Sequence, residues 1–399
     1  MGTKILLFIS IIYGCLQNKS DVFFTKKISP SSIVSMFKKL NITLSGNVGL
    51  KVHTGEIGGP YFLRPNFLKE IYDYINGTFI ECNTAYTSWG RHTTELHQYT
   101  LKRNGWLDDD IRTIIMDEDP SQDFNLSIPN YNNISNNIVG GHLKDFDSCL
   151  VLAHFKGHAM GGFGGALKQL SIGFASRAGK SNIHSGGYTT NYTETWTHKA
   201  EQKDFTAAMA DAASSIVNYF KKKGGMAFIN VMVNISVRCD CGVGAPPPKV
   251  RDIGILASLD PVAIDRASFD LIKKENTEGS QEWIENSNSL LGENTLKLAE
   301  ELGVGSQDYN LINVDGDDEE EEEEKEEEEG GKEGDKDNEN DNKNKDDTDQ
   351  SKIYLYIFIP IIILLVIIIG ILGFFLFKKN TKIKLYNQSL GVSMTGKTE

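Results

Sequence analysis

The 399-residue chain is poor in cysteine and proline, with five and ten respectively. No C-x-x-C-x-x-C array is present, which excludes a ferredoxin-type iron–sulfur module. No basic, aromatic-laced patch and no internal repeat appear either, so nucleic acid is not an expected partner and a solenoid is not an expected fold. Acidic residues outnumber basic ones, 54 to 41, but the excess is concentrated in one tract, DGDDEEEEEEKEEEEGG and its sequel, spanning residues 314–352. Such a tract cannot bury apolar area and repels itself into an extended stalk, so the net charge of −13 says nothing about a ligand.

The ends of the chain carry targeting signals. Residues 1–17 place Lys4 before the apolar run ILLFISIIYG, the pattern of a secretory signal peptide. Ile353 to Phe377 is apolar and free of charge, long enough for one transmembrane helix despite Pro360. Lys378, Lys379, Lys382 and Lys384 follow it, which puts the tail of residues 378–399 in the cytosol. These signals describe a single-pass type I membrane protein of the secretory pathway, with residues 18–313 lumenal or extracellular. N-x-[ST] triplets beginning at Asn18, Asn41, Asn76, Asn125, Asn133, Asn191 and Asn234 agree with a glycoprotein.

Strand-like and helix-like segments alternate through the folded part, from about Asn47 to Val314. Val48–His53, Thr78–Cys82, Cys149–Leu152, Ala227–Val237 and Ile253–Ser258 read as strands. Arg64–Ile75, Leu96–Asn104 and Phe205–Lys223 read as helices, and Asp260-Pro261 reads as a helix cap followed by a first-turn proline. The pattern predicts an α/β fold with a largely parallel sheet and flanking helices.

Chemistry concentrates in Ala153 to His184, AHFKGHAMGGFGGALKQLSIGFASRAGKSNIH, directly after an apolar strand end. In open α/β sheets ligands bind in the crevice beyond the carboxyl ends of strands. Gly161, Gly162, Gly164 and Gly165 let the backbone approach a ligand, and Ala166–Ile172 is positioned to start a helix whose amides face an anion. Lys156, Arg177 and Lys180 are candidate anion holders. If the loop coils, His154 and His158 stand one helical turn apart as a metal-ligand pair, completed by His184, His92 or Cys239. Cys239-Asp-Cys241 suits either a metal or a disulfide, and Cys82, Cys149, Cys239 and Cys241 allow two disulfides in an oxidising lumen. His53, His97, His142 and His198 lie in no motif.

The blocks KVHTGEIGGPYFLRP, ECNTAYTSWGRHTTELH, IIMDEDP, the 153–184 block, RCDCG and DIGILASLDPVAIDRASFDLI resemble, in order, the domain of unknown function 362 family over about residues 48–309. In that family's blocks Glu56 and Arg64 would contact substrate or support its contacts. The segment HAMGGFGGALK, with His184 sixteen positions on, is also similar to the central motif of the lactate racemase family, whose members hold a nickel-pincer nucleotide on a lysine. That resemblance implies Lys168 as the cofactor-bearing lysine, His184 as a nickel ligand, and His158 and His92 as acid/base histidines. Gly162, Gly164, Gly165 and Lys156 would surround the cofactor, with His154 as a second metal-ligand candidate. The expectation is therefore a membrane-anchored metal- or cofactor-binding enzyme, racemase-like on a small hydroxy acid; the alternative is a non-catalytic surface binding protein on the same scaffold. The lumenal address weighs against a nickel-pincer cofactor, because such a cofactor is made in the cytosol.

Overall fold

The computed structural model describes residues 19–240 and 242–316. The segments read as signal peptide, transmembrane helix and cytosolic tail, and nearly all of the tract read as an acidic stalk, lie outside the described residues. Among the described residues no helix is long and apolar enough to cross a membrane.

The described residues form twelve strands: β1 (Ser20–Thr25), β2 (Val48–Lys51), β3 (Thr78–Glu81), β4 (Thr113–Ile115), β5 (Phe124–Ser127), β6 (Asn136–Val139), β7 (Ser148–His154), β8 (Lys156–His158), β9 (Gly162–Gly164), β10 (Met226–Met232), β11 (Gly254–Ser258) and β12 (Tyr309–Asn313). Eight of them make one sheet in the order β12-β1-β11-β10-β7-β2-β3-β4. All neighbours pair in parallel except β11, which runs antiparallel to β1 and β10. The α/β expectation of a largely parallel sheet is met. The strands named in the sequence are found, most of them ending earlier than read.

Helices cover both faces, as strands buried on both sides require. Along β7, Cys149, Val151 and Ala153 face one core with Ala210, Ile216 and Phe220 of helix Gln202–Lys221 and with Val262 and Phe269 of helix Pro261–Glu275. Leu150 and Leu152, on the alternate side, face another core with Met36 and Phe37 of helix Pro30–Lys39 and with Leu68 and Ile71 of helix Pro65–Ile75. The cap at Asp260 forms as read, its carboxylate accepting from the Val262 and Ala263 amides at 2.8 and 2.9 Å.

The chain after β2 packs its helix on one face and the chain after β7 packs on the other, while β2 and β7 are neighbours. That reversal opens a crevice at their carboxyl ends, where His53 and His154 emerge. The segment after β7 is not a coil of helix. It is a hairpin, β8 against β9, with Lys156 opposite Gly164 and His158 opposite Gly162. His154 and His158 are therefore not one helical turn apart, because glycines and alternating extended residues favour the hairpin here. Gly157 fits only without a side chain, since a Cβ there would meet the Val237 carbonyl oxygen at 1.9 Å.

After the hairpin comes one helical turn, Ala166–Lys168, and a π-turn, Gln169–Gly173, where a single helix was expected. Its start is clamped by Asp265 of helix Pro261–Glu275, whose carboxylate accepts from the Ala166 and Leu167 amides at 2.8 and 2.9 Å and from Asn230 Nδ2 at 2.8 Å. Burial pushes this carboxyl up to about 6, against the pull of those donors. We expect Asp265→Ala to lower unfolding free energy by about 2–4 kcal/mol, because three buried donors lose their acceptor. Urea unfolding with an unchanged slope and a lower midpoint checks it; an unchanged midpoint refutes the clamp.

Candidate functional site

A cavity of about 300 Å3 opens at the crevice. Its walls come from the carboxyl ends of three adjacent strands: His53 beyond β2, Glu81 and Cys82 at the end of β3, and His154 at the end of β7. The hairpin adds Lys156, His158 and Gly164. Lys168, Gln169 and Gly173 enter from the helical and π-turns, and Lys180 and His184 from helix Arg177–His184. Tyr86, Trp89 and Trp196 supply aromatic surface, and both tryptophans are about two-fifths exposed.

The structure thus brings together Lys156, His158, Lys168, His184, His154, Gly164 and Gly165. His92 is not among the lining residues; its Nδ1 lies 2.8 Å from the Trp89 carbonyl oxygen. Gly162 also lies off the lining, in the left-handed region at φ +76°, where a Cβ would strike the Gly292 backbone. Gly165 is required by packing against Asp265, whereas a Cβ on Gly164 would rest 3.5 Å from Lys168 Cδ. His53, Arg91 and Trp196 are pocket residues that the sequence alone does not mark, because Arg91 and Trp196 come from loops distant in the chain and His53 meets the other residues only once β2 pairs with β7.

Beneath the cavity runs a row of alternating buried charges. Lys51, fully buried on β2, donates to Glu81 Oε1 at 2.8 Å, to the Val52 carbonyl at 2.6 Å and to Gln169 Oε1 at 2.9 Å. Arg91 donates from Nη1 to Glu81 Oε2 at 3.3 Å and from Nε to Glu56 Oε1 at 2.8 Å. Glu56 also accepts from the Tyr86 hydroxyl and the Gly90 amide, so it braces this network. Arg64 instead caps its own loop through the Gly59 carbonyl and lies over the Phe62 ring. Although burial works against ionisation, Lys51 and Arg91 hold Glu81 well below the usual carboxylate range.

A second pair closes the other side. Lys156 and Asp240 form a buried ion pair, with His154 Nδ1 at 3.9 Å from Asp240 Oδ2. His154 donates from Nε2 to the Val233 carbonyl at 2.6 Å. Lys180 donates to the Ala175 carbonyl at 2.6 Å. His184 stacks on Phe205 with ring centroids 5.0 Å apart, and its Nδ1 is buried without a hydrogen-bond partner. Among the described residues no three His, Cys, Asp or Glu side chains gather into a preformed metal site. Cys82 and Cys149 are free thiols buried in the sheet, which corrects the two-disulfide expectation; Cys239 lines the cavity and Cys241 lies outside the described residues.

Burial, reinforced by neighbouring cations, keeps the imidazoles of His154, His158 and His184 neutral. His154 is pushed down to about 3 by desolvation and then Lys156; His184 to about 3 by desolvation and then Lys168 and Lys180. His97, behind the cavity with Nδ1 3.1 Å from Asn83 Oδ1, is pushed down to about 3 by desolvation and Arg91.

A family model described as a domain of unknown function (DUF362) matches residues 48–270. No curated protein matches the chain. Among solved structures, the chain is similar to a protein from Thermotoga maritima, 10% identical, covering 68% of this chain and 58% of that one with a TM-score of 0.34. It is also similar to the lactate racemase apoprotein from Thermoanaerobacterium thermosaccharolyticum, 13% identical, covering 62% of this chain and 57% of that one with a TM-score of 0.36. The chain thus spans under two thirds of the length of both.

The neutral histidines predict acid sensitivity. Between about pH 6.5 and 3 the unfolded chain binds protons at His97, His154 and His184 that the folded chain refuses, so stability falls as pH drops through that window. Each contributes a loss of about 2 kcal/mol between pH 7 and 5. Glu81 adds its loss only below about pH 4.5, where the unfolded carboxylate protonates first. His97→Gln should therefore flatten the pH 5–7 slope of unfolding free energy by one histidine's share; an unchanged slope refutes the assignment.

Proposed function

This chain belongs to the domain of unknown function 362 family, and from that premise we propose that it is an enzyme acting on a small anionic organic molecule in the cavity at the ends of β2, β3 and β7. One observation carries the reading: His154, Lys156, His158, Lys168 and His184, distributed over 31 residues of chain, line one cavity with His53. A protein using only its outer face for partners has no need of that convergence. Lys168 and Lys180 bring positive charge to the lining beyond the ion pairs of Arg91 with Glu81 and Glu56 and of Lys156 with Asp240, which favours a carboxylate or phosphate.

The finer reading is racemase- or epimerase-like chemistry on a small hydroxy acid, with a nickel-type cofactor. The donor set suits such a group: Lys168 reaches the cavity from the turn before the π-turn, and His184 presents a buried ring nitrogen with no protein partner. Lys168 would carry the group and His184 would ligate its metal; when bound it would supply an acceptor for hydride. Lys180 would orient a carboxylate, with Lys156 held beside it by Asp240, and Trp89 and Trp196 would keep water from the mouth. The apolar run 353–377 and the lysines behind it support a membrane anchor, with this domain on the lumenal or outer face.

The test uses the full chain purified from its native host, with Lys168→Ala and His184→Ala beside it. We expect stoichiometric metal by elemental analysis, lost in His184→Ala, and an added covalent mass, lost in Lys168→Ala. Folded wild type with neither metal nor adduct overturns the cofactor reading and shifts the weight to a binding protein.

A further inference from the structure

Two imidazoles in the cavity are held in the same way. At His53, the Gly55 amide donates to Nδ1 at 2.9 Å. At His158, the Met160 and Gly161 amides donate to Nδ1 at 3.2 and 3.0 Å. In each case the loop turns back so that its own backbone occupies the lone pair of Nδ1. A neutral imidazole has one protonated and one bare nitrogen, so a bare Nδ1 sets the proton on Nε2. Both residues line the same cavity, one from the end of β2 and the other from the hairpin after β7.

From this we propose that His53 and His158 form a pair of neutral Nε2–H donors that grip an oxygen of the ligand, a carboxylate or the carbonyl of a keto or hydroxy acid. The inference rests on the small-anion reading of the cavity and changes a role within it. An imidazole whose Nδ1 accepts from amides and whose Nε2 already bears a proton has no site left to receive one. It can polarise a carbonyl or stabilise developing negative charge, as preorganised donors do. His158 then acts as donor rather than base. His53, not His92, is its partner.

The surroundings keep His158 in that state, and the Gly55 amide on Nδ1 does so for His53. His158 is held well below its usual range by burial first, then by Lys168, Lys156, His184 and His53. Glu81 is the acidic group of the lining, and it is committed to Lys51 and Arg91. No bond is made or broken in this step; a proton is shared, not transferred, so it needs no co-reactant.

Histidine-selective 15N labelling of the full chain, read by long-range 1H–15N correlation, tests the tautomers directly. We expect His53 and His158 to show bare Nδ1 and protonated Nε2 throughout pH 5–8. Oxalate, a planar dicarboxylate, then probes the ligand side by calorimetry. His53→Ala and His158→Ala should each weaken oxalate by about tenfold or more, the worth of a hydrogen bond to a charged group. His53→Gln and His158→Gln should restore most of it, because a glutamine amide donates from about the same reach but is no base. His92→Ala should leave it unchanged. Titration of either ring to imidazolium in that range, or glutamine as damaging as alanine, overturns the donor pair. Wild type that binds no oxalate overturns the small-anion reading along with it, whereas wild-type affinity unmoved by the alanine variants overturns the donor pair alone.

Discussion

The cavity depends on the row Lys51, Glu81, Arg91, Glu56. Each of these charges is buried, and each is tolerable only because the next has the opposite sign. The row joins β2 to β3, and through Glu56 and Arg91 it fixes the loop that carries Tyr86 and Trp89 to the mouth. Lys51 also reaches Gln169, so the π-turn beside Lys168 is fastened to the same ions. A π-turn is a strained local choice that persists where surrounding contacts over-determine it, and such turns recur at functional sites. Here those contacts are Lys51 on one side and the Asp265 clamp on the other.

Above that row the site combines fixed cations with histidines kept neutral. Lysines at 156, 168 and 180 do to the imidazoles what burial does, and both effects act in one direction. The site therefore offers positive charge and uncharged ring nitrogens together, a combination suited to hold an anion while leaving nitrogen donors or ligands beside it.

The sheet was legible because apolar runs such as Cys149–Leu152 are buried on both faces, and because Asp260-Pro261 is a cap with a local mechanism. The lysine and the histidines of the 153–184 block announced a site through their density. Three things were not legible. His53 stands in no motif, and its place in the cavity follows from β2 pairing with β7, a contact between segments about a hundred residues apart. The hairpin β8–β9 hid behind its glycines, which read equally as a loop or a helix start. Strands β1 and β12 are not legible either: β1 lies just after the expected signal peptide and β12, at the sheet edge, just before the acidic tract, so composition draws attention elsewhere, and the two pair across nearly 290 residues.

That pairing has a mechanical consequence. β1 and β12 are parallel, with Ser20 beside Tyr309 and Phe24 beside Asn313, so the described domain begins at one end of this ladder and finishes at the other. Tension drawing residue 20 and residue 313 apart runs along the strands. The ladder is then loaded in shear, its cross-strand hydrogen bonds resisting together instead of opening one after another. A domain joined to its surroundings through these two ends would resist being pulled open, and the cavity, several strands inward at β2 and β7, would be shielded from the load.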